Sequence, residues 1–245
     1  MSGPSASWVP LAFIVVTAAA TALGGLMLTT RDRWDATALQ YFVAVGAGFM
    51  LAAATLQMVP VSARMTERAP LLVLAGYLLI HLVEHTAVRH FHFGAETHTE
   101  HLDVGLPALV GLSIHSFFDG ISIASGFLVS RELGLLLFVA IVLHKAPEGF
   151  TIASIMLAAG RGRGAAQLSS IAVGVASILG ALCVYPLRRF VGEGLALSAG
   201  VTLYVAASDL IPEVNRGEAR GTALAVFAGV LLYYVTERML STLGV

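Results

Sequence analysis

Charge is what this sequence has least of. Asp, Glu, Lys and Arg together make up 12% of its 245 residues, against about 25% in an ordinary soluble domain. Too few charges remain to coat a globule of this size. With 57% of residues hydrophobic and a mean hydropathy of +0.84, most of the surface must meet lipid. The formal net charge is −1, which leaves no basic footprint for nucleic acid. Cysteine occurs once, at Cys183, so an intramolecular disulfide and a cysteine-built zinc cage are both excluded. Lysine is as scarce: Lys145 is the only one, and arginine supplies the remaining positive charge. Met1 to Trp8 carry no Lys or Arg, so the charged start of a secretory signal is missing and the apolar stretch behind them reads as a retained first helix. No GxxxxGKS signature is present, which argues against direct ATP coupling.

What is there, in abundance, is long apolar runs. A helix needs roughly 20 mostly apolar residues to cross a bilayer, and eight segments qualify: 8–29, 37–61, 70–89, 105–129, 133–159, 166–187, 194–212 and 221–243. The expected fold is therefore all-α, a polytopic membrane protein of eight transmembrane helices forming one domain over residues 1–245. An even number of spans puts both termini on one side. Arginine counted by alternate loops places Arg31, Arg33, Arg89, Arg161, Arg163, Arg216 and Arg220 on the cytoplasmic face, with both termini outside. One connection differs from the other short ones. Residues 81–101 read HLVEHTAVRHFHFGAETHTEH and hold six of the eight histidines. His81, Glu84 and His85 fall at i, i+3 and i+4, on one helical face. His90, His92, His98 and His101 lie in a polar loop of about residues 86–104, either a metal-gathering element, since neutral imidazole binds borderline cations, or a solvated connector.

The most informative feature is an internal near-repeat. Residues 115–125 read HSFFDGISIAS and residues 144–154 read HKAPEGFTIAS, both of the form His-x-x-x-acid-Gly-x-Ser/Thr-Ile-Ala-Ser. Each sits in the middle of its span, and only a short turn at Ser130–Glu132 separates the two helices, which must be antiparallel neighbours. Residues i and i+4 share a helical face, so His115 pairs with Asp119 and His144 with Glu148. Facing each other near the midplane, these supply two imidazoles and two carboxylates, a set suited to Zn²⁺ at ~2.0–2.2 Å. A carboxylate at that depth costs ~2.5–3.5 kcal/mol or more, and two would also repel, whereas buried charge is tolerated when it is paired or coordinates a metal.

Other intramembrane polar residues leave alternatives open. Lys145 lies about 100° round the helix from His144, placed beside a metal and able to pair with Asp119 or Glu148. Met50, in the second span with Gln57 seven residues on, offers a thioether or plain packing. Ser177 is a small residue of the sixth span. Asp209 and Glu213, at i and i+4 in SDLIPE, are either a pathway relay or acids at a membrane boundary. Gly120, Gly149 and Pro147 read equally as close-approach devices and as ordinary transmembrane packing and kink residues.

At these residues the chain resembles the ZIP (Zrt/Irt-like) family of divalent metal transporters, bacterial type. His115, Ser116, Asp119 and Gly120 match the family's fourth-helix His-Asn/Ser-x-x-acid-Gly, and His144, Pro147, Glu148 and Gly149 match its fifth-helix motif. GFMLAAA is similar to the second helix of bacterial members, which implies that Met50 is a ligand beside His115, Asp119, His144 and Glu148. The resemblance further implies that SDLIPE lines the outer route and that Glu84 stands near the inner exit. Bacterial members hold a second metal with an Asn, an acid after the helix-five ligand and an acid on helix six. Ser116, Lys145 and Ser177 stand at those places here, so one metal is expected rather than two.

The sequence thus points to a secondary transporter, not an enzyme, that carries zinc, or cadmium, iron, cobalt or manganese, toward the cytoplasm. It is placed in the bacterial inner membrane, uses no organic cofactor, and has metal ions, the lipid bilayer and, as an open alternative, a second copy of itself as partners. An intramembrane zinc-dependent hydrolase is the competing class, because two His and acids can activate a zinc-bound water; HExxH is absent. Bis-histidine haem binding by His115 and His144 is a third reading, disfavoured by the carboxylate one turn from each.

Overall fold

A computed structural model describes residues 8–30, 36–87, 105–216 and 221–243. Among these the chain is helical with short turns and no strands. It forms eight helical rods: α1 (Trp8–Thr30), α2 (Ala36–Ala53, continued through Ala54–Met58 to Val59–Met65), α3 (Ala69–Leu82, continued through Val83–Ala87), α4 (Gly105–Val129), α5 (Arg131–Ala158), α6 (Arg163–Val184), α7 (Val191–Tyr204, continued through Val205–Leu210 to Ile211–Arg216) and α8 (Thr222–Thr242). Seven rods are long and apolar enough to cross a membrane, and α3 is the exception, its regular part Ala69–Leu82 being a shorter apolar helix. The run expected at 70–89 is interrupted by a widened π turn at Val83–Ala87.

The rods are inside out relative to a soluble bundle. Leu224 and Phe227 on α8 are 74% and 72% exposed, while Lys145 is fully buried with Asp119, His144 and Glu148. Apolar surface on this scale faces outward only where lipid is the solvent.

Two groups of four helices make the fold. Rods α1, α4, α5 and α6 pack mutually, and α2, α3, α7 and α8 form the second group; α2 on α5 and α4 on α7 join the two. Each group is built on parallel helix pairs that cross backbone to backbone. A Cβ on Gly120 of α4 would strike the Ser177 carbonyl of α6, and one on Gly180 of α6 would strike the Phe117 carbonyl. The same reciprocal arrangement joins Gly24 of α1 and Gly149 of α5 through the carbonyls of Ala146 and Thr21. In both, the carbonyl met lies three residues before the partner's glycine. Gly76 with Gly200 (α3, α7) and Gly48 with Gly229 (α2, α8) repeat the geometry. Lipid supplies no hydrophobic drive between helices, so such close backbone contact and its Cα–H···O interactions hold them together.

The turn between α4 and α5 is shorter than the expected Ser130–Glu132. It is Ser130 alone, whose side chain accepts from the Leu133 N–H at 3.1 Å and caps α5. Widened turns also recur two residues before Pro60 in α2 and before Pro212 in α7. Proline removes a backbone donor and leaves a regular helix one bond short, and a π turn accommodates the gap.

Candidate metal centre

The glycine that follows each acid sets the site. Gly120 locks α4 onto α6 and Gly149 locks α5 onto α1, which turns Asp119 and Glu148, one residue earlier, into the space between α4 and α5. His115 and His144, one turn before the acids, follow them. One donor atom from each of His115, Asp119, His144 and Glu148 lies within 4.8 Å of the other three, and all four residues are buried. The His115 and His144 rings stand 5.5 Å apart between centroids.

Each contact has a chemical consequence. His144 Nδ1 donates to the Ala140 carbonyl one turn earlier at 3.1 Å, so Nε2 is the nitrogen that the ring turns on the cluster; such a bond fixes ring orientation in metal-binding histidines. That Nε2 lies 3.2 Å from Asp119 Oδ2. His115 Nε2 lies 3.3 Å from the same oxygen but lacks hydrogen-bonding geometry. Lys145 Nζ donates to Glu148 Oε2 at 2.5 Å and to Ser116 Oγ at 2.8 Å, and forms an ion pair with Asp119 Oδ2 at 2.7 Å. Two of the ammonium's hydrogen bonds thus go to Glu148 and Ser116, and its charge lies against Asp119. Ser116 Oγ is 3.0 Å from Ser177 Oγ, and Ser177 donates to the Gly174 carbonyl at 3.1 Å. Lys145 thus touches both acids at once, and Ser116 and Ser177 form the wall behind it.

Met50 is fully buried, in an apolar cluster that also takes in Leu136, Leu137 and Ala140 of α5 and Leu195 and Ala199 of α7. It sits one turn beyond Gly46, where a Cβ would come 3.7 Å from the His144 side chain. Gln57 is half-buried in the widened turn of α2.

Of the remaining candidates, His81, His85 and Asp209 are not part of this cluster. His81 and His85 are exposed near the end of α3, their rings 4.2 Å apart, with His85 Nδ1 donating to the His81 carbonyl at 2.9 Å. Asp209 is half-buried in the widened turn of α7, beside Ser208, whose Oγ is 2.7 Å from Tyr77 Oη. The side chains of Glu84 and Glu213 lie outside the described residues, as do His90, His92, His98 and His101. Sequence reading had no handle on the Ala140 carbonyl or on Gly46, because a backbone oxygen and a bare helix face carry no residue signature; position i−4 from a histidine is the one hint.

Buried nitrogen and oxygen donors drawn together on two helices bring this geometry to the comparisons with known proteins. The model of the family described as ZIP Zinc transporter matches residues 96–237, more than half the chain and both halves of the cluster. The chain belongs to the ZIP family. It is similar to zinc transporter ZIP9 of Micropogonias undulatus, 28% identical over 155 residues, which is 58% of this chain and 50% of the relative. Zinc transporter ZIP9-B of Xenopus laevis is 28% identical over 153 residues, 57% of this chain and 50% of the relative. Zinc transporter ZIP13 of Homo sapiens is 29% identical over 123 residues, 45% of this chain and 33% of the relative. The chain spans about half the length, or less, of these curated ZIP relatives.

Proposed function

We propose that this ZIP-family chain is a secondary transporter whose cargo, a divalent transition metal and zinc foremost, passes through the cluster of His115, Asp119, His144 and Glu148 with Met50 alongside. The observation that carries the reading is the burial together of two imidazoles and two carboxylates, with donor atoms within 4.8 Å of one another, in a membrane-spanning pair of helices. An acid in such a place is tolerated when it faces a cavity, a counter-charge or an ion, and it marks an ion path. The cargo is exchanged between faces as helix groups rearrange around a midplane site. Cadmium, iron and cobalt are further cargoes the donor set accepts, and manganese less readily.

One ion is held at a time, because Lys145 already places a positive charge on the far oxygens of both acids. His81, Glu84 and His85 on the inner side, Asp209 and Glu213 on the outer, and the histidine-bearing loop serve the route. Arginine distribution supports termini outside, and the family resemblance supports import toward the cytoplasm across a bacterial inner membrane, in an assembly that a homodimer would satisfy. For the hydrolase alternative, no member of the cluster is more than 6% exposed, a closure that suits a bare ion and not a peptide or ester.

The test is uptake of zinc into proteoliposomes holding an entrapped zinc dye. The native chain brightens the dye, and His144→Ala and Glu148→Ala lose most of that flux while inserting normally. Undiminished flux in both variants would sink the assignment.

A further inference from the structure

Lys145 divides each acid of the cluster in two. Asp119 Oδ2 is ion-paired with its ammonium, and Glu148 Oε2 accepts a hydrogen bond from it. Among the described residues, Asp119 Oδ1, Glu148 Oε1 and both ring nitrogens of His115 are buried without a hydrogen-bond partner. With His144 Nδ1 engaged by the Ala140 carbonyl, Nε2 is the one further nitrogen turned on the same space. Buried polar atoms are nearly always satisfied, so a set of orphans drawn from three adjacent side chains points to a ligand that satisfies them.

We infer that Lys145 is a selectivity residue that acts through the two acids: by holding one oxygen of each, it makes both one-oxygen donors and caps the ion's coordination at two nitrogens and two oxygens from this cluster. The inference rests on the cluster being the cargo site and goes further in naming the coordination it admits. Zn²⁺ and Co²⁺ are at home with four such donors in a tetrahedron. Ca²⁺ draws on about six to eight oxygens and often takes carboxylates through both, and Mg²⁺ and Mn²⁺ favour six oxygens in an octahedron. Those ions lose the second oxygen of each acid to the ammonium, and a thioether from Met50 does not replace it. Ser116, itself hydrogen-bonded to Ser177, holds the ammonium in place from behind, so the division of the acids is built in. A mere counter-ion would neutralise charge without setting the coordination number, and this separates the two roles experimentally.

The experiment uses the purified full-length chain in detergent with Co²⁺ as the probe. Tetrahedral Co²⁺ absorbs strongly in the visible and six-coordinate Co²⁺ only faintly. The native chain is expected to give the intense tetrahedral bands. Lys145→Gln, which returns an oxygen of each acid, is expected to weaken them and to raise Mn²⁺ binding relative to Zn²⁺ by about tenfold or more, the lower end of what partners of metal ligands are worth. Lys145→Arg keeps a cation able to fork across two carboxylates and should retain the native spectrum. A faint six-coordinate spectrum in the native chain overturns the inference, and so does a folded Lys145→Gln with unchanged bands and an unchanged Mn²⁺ to Zn²⁺ ratio. Should Lys145→Gln fail to fold, the native and Lys145→Arg spectra still decide: loss of the bands in folded Lys145→Arg also counts against it. If His144→Ala leaves the Co²⁺ bands of the native chain intact, the ion lies elsewhere and the site assignment beneath the inference has failed.

Discussion

At the scale of single residues, one ammonium organises the chemistry. Lys145 is fully buried and holds Asp119, Glu148 and Ser116 together. A lysine that close to two acids occupies the space a second cation would need. Replacing it by an acid reverses a charge at contact distance, so Lys145→Asp should raise bound metal from one ion per chain toward two, measured by elemental analysis of the folded, purified variant. An unchanged ratio would count against the ammonium as the reason for a single ion. Met50 is testable through softness. A thioether favours soft cations, so Met50→Ala should reduce Cd²⁺ uptake more than Mn²⁺ uptake in parallel flux assays. Equal losses for the two would mean that Met50 shapes the packing of α2 against α5 and touches no ion.

Among elements, the crossings of parallel helices decide where the site residues point. Gly149 lies directly against the Thr21 carbonyl and Gly120 against the Ser177 carbonyl. A side chain at either position must push α5 from α1 or α4 from α6, and overpacking of this kind costs about 1–3 kcal/mol or more. Gly149→Leu should therefore lower the detergent-solubilised midpoint of thermal unfolding and weaken zinc binding together. Gly164→Ala, at a glycine with nothing within 4 Å of its would-be Cβ, should leave both unchanged. A Gly149→Leu chain of native stability and affinity would show that the α1–α5 crossing does not hold Glu148 in place.

For the whole molecule, the question is how many times the chain crosses. Seven helices qualify outright, and α3 reaches comparable length only when Val83–Ala87 is added to Ala69–Leu82. Nineteen residues at ~1.5 Å each approach the ~30 Å of a hydrocarbon core. If α3 spans, the number of crossings is even and both ends share a side. Tags at the two termini of the chain as given should then be protected from, or cut by, protease together in sealed right-side-out vesicles. Opposite sensitivity would leave seven crossings and contradict the parallel pairing of α1 with α5 and of α2 with α8.

Much of this was legible before any fold was known. Scarcity of charge and the length of apolar runs forced a helical membrane protein, since only internally bonded helices or closed barrels survive in lipid. The His-x-x-x-acid spacing placed His115 with Asp119 and His144 with Glu148, because residues four apart share a face whatever the rest of the chain does. Tertiary structure alone decided how one helix is rotated against another. That rotation sets the Lys145 ammonium against both acids and Ser116, gives Gly120 and Gly149 their partners on α6 and α1, and brings the Ala140 carbonyl into service for His144. Spacing along a helix is set by its own backbone geometry, but orientation between helices is set by which small residues let two backbones touch, and that is a property of pairs no single stretch of sequence contains.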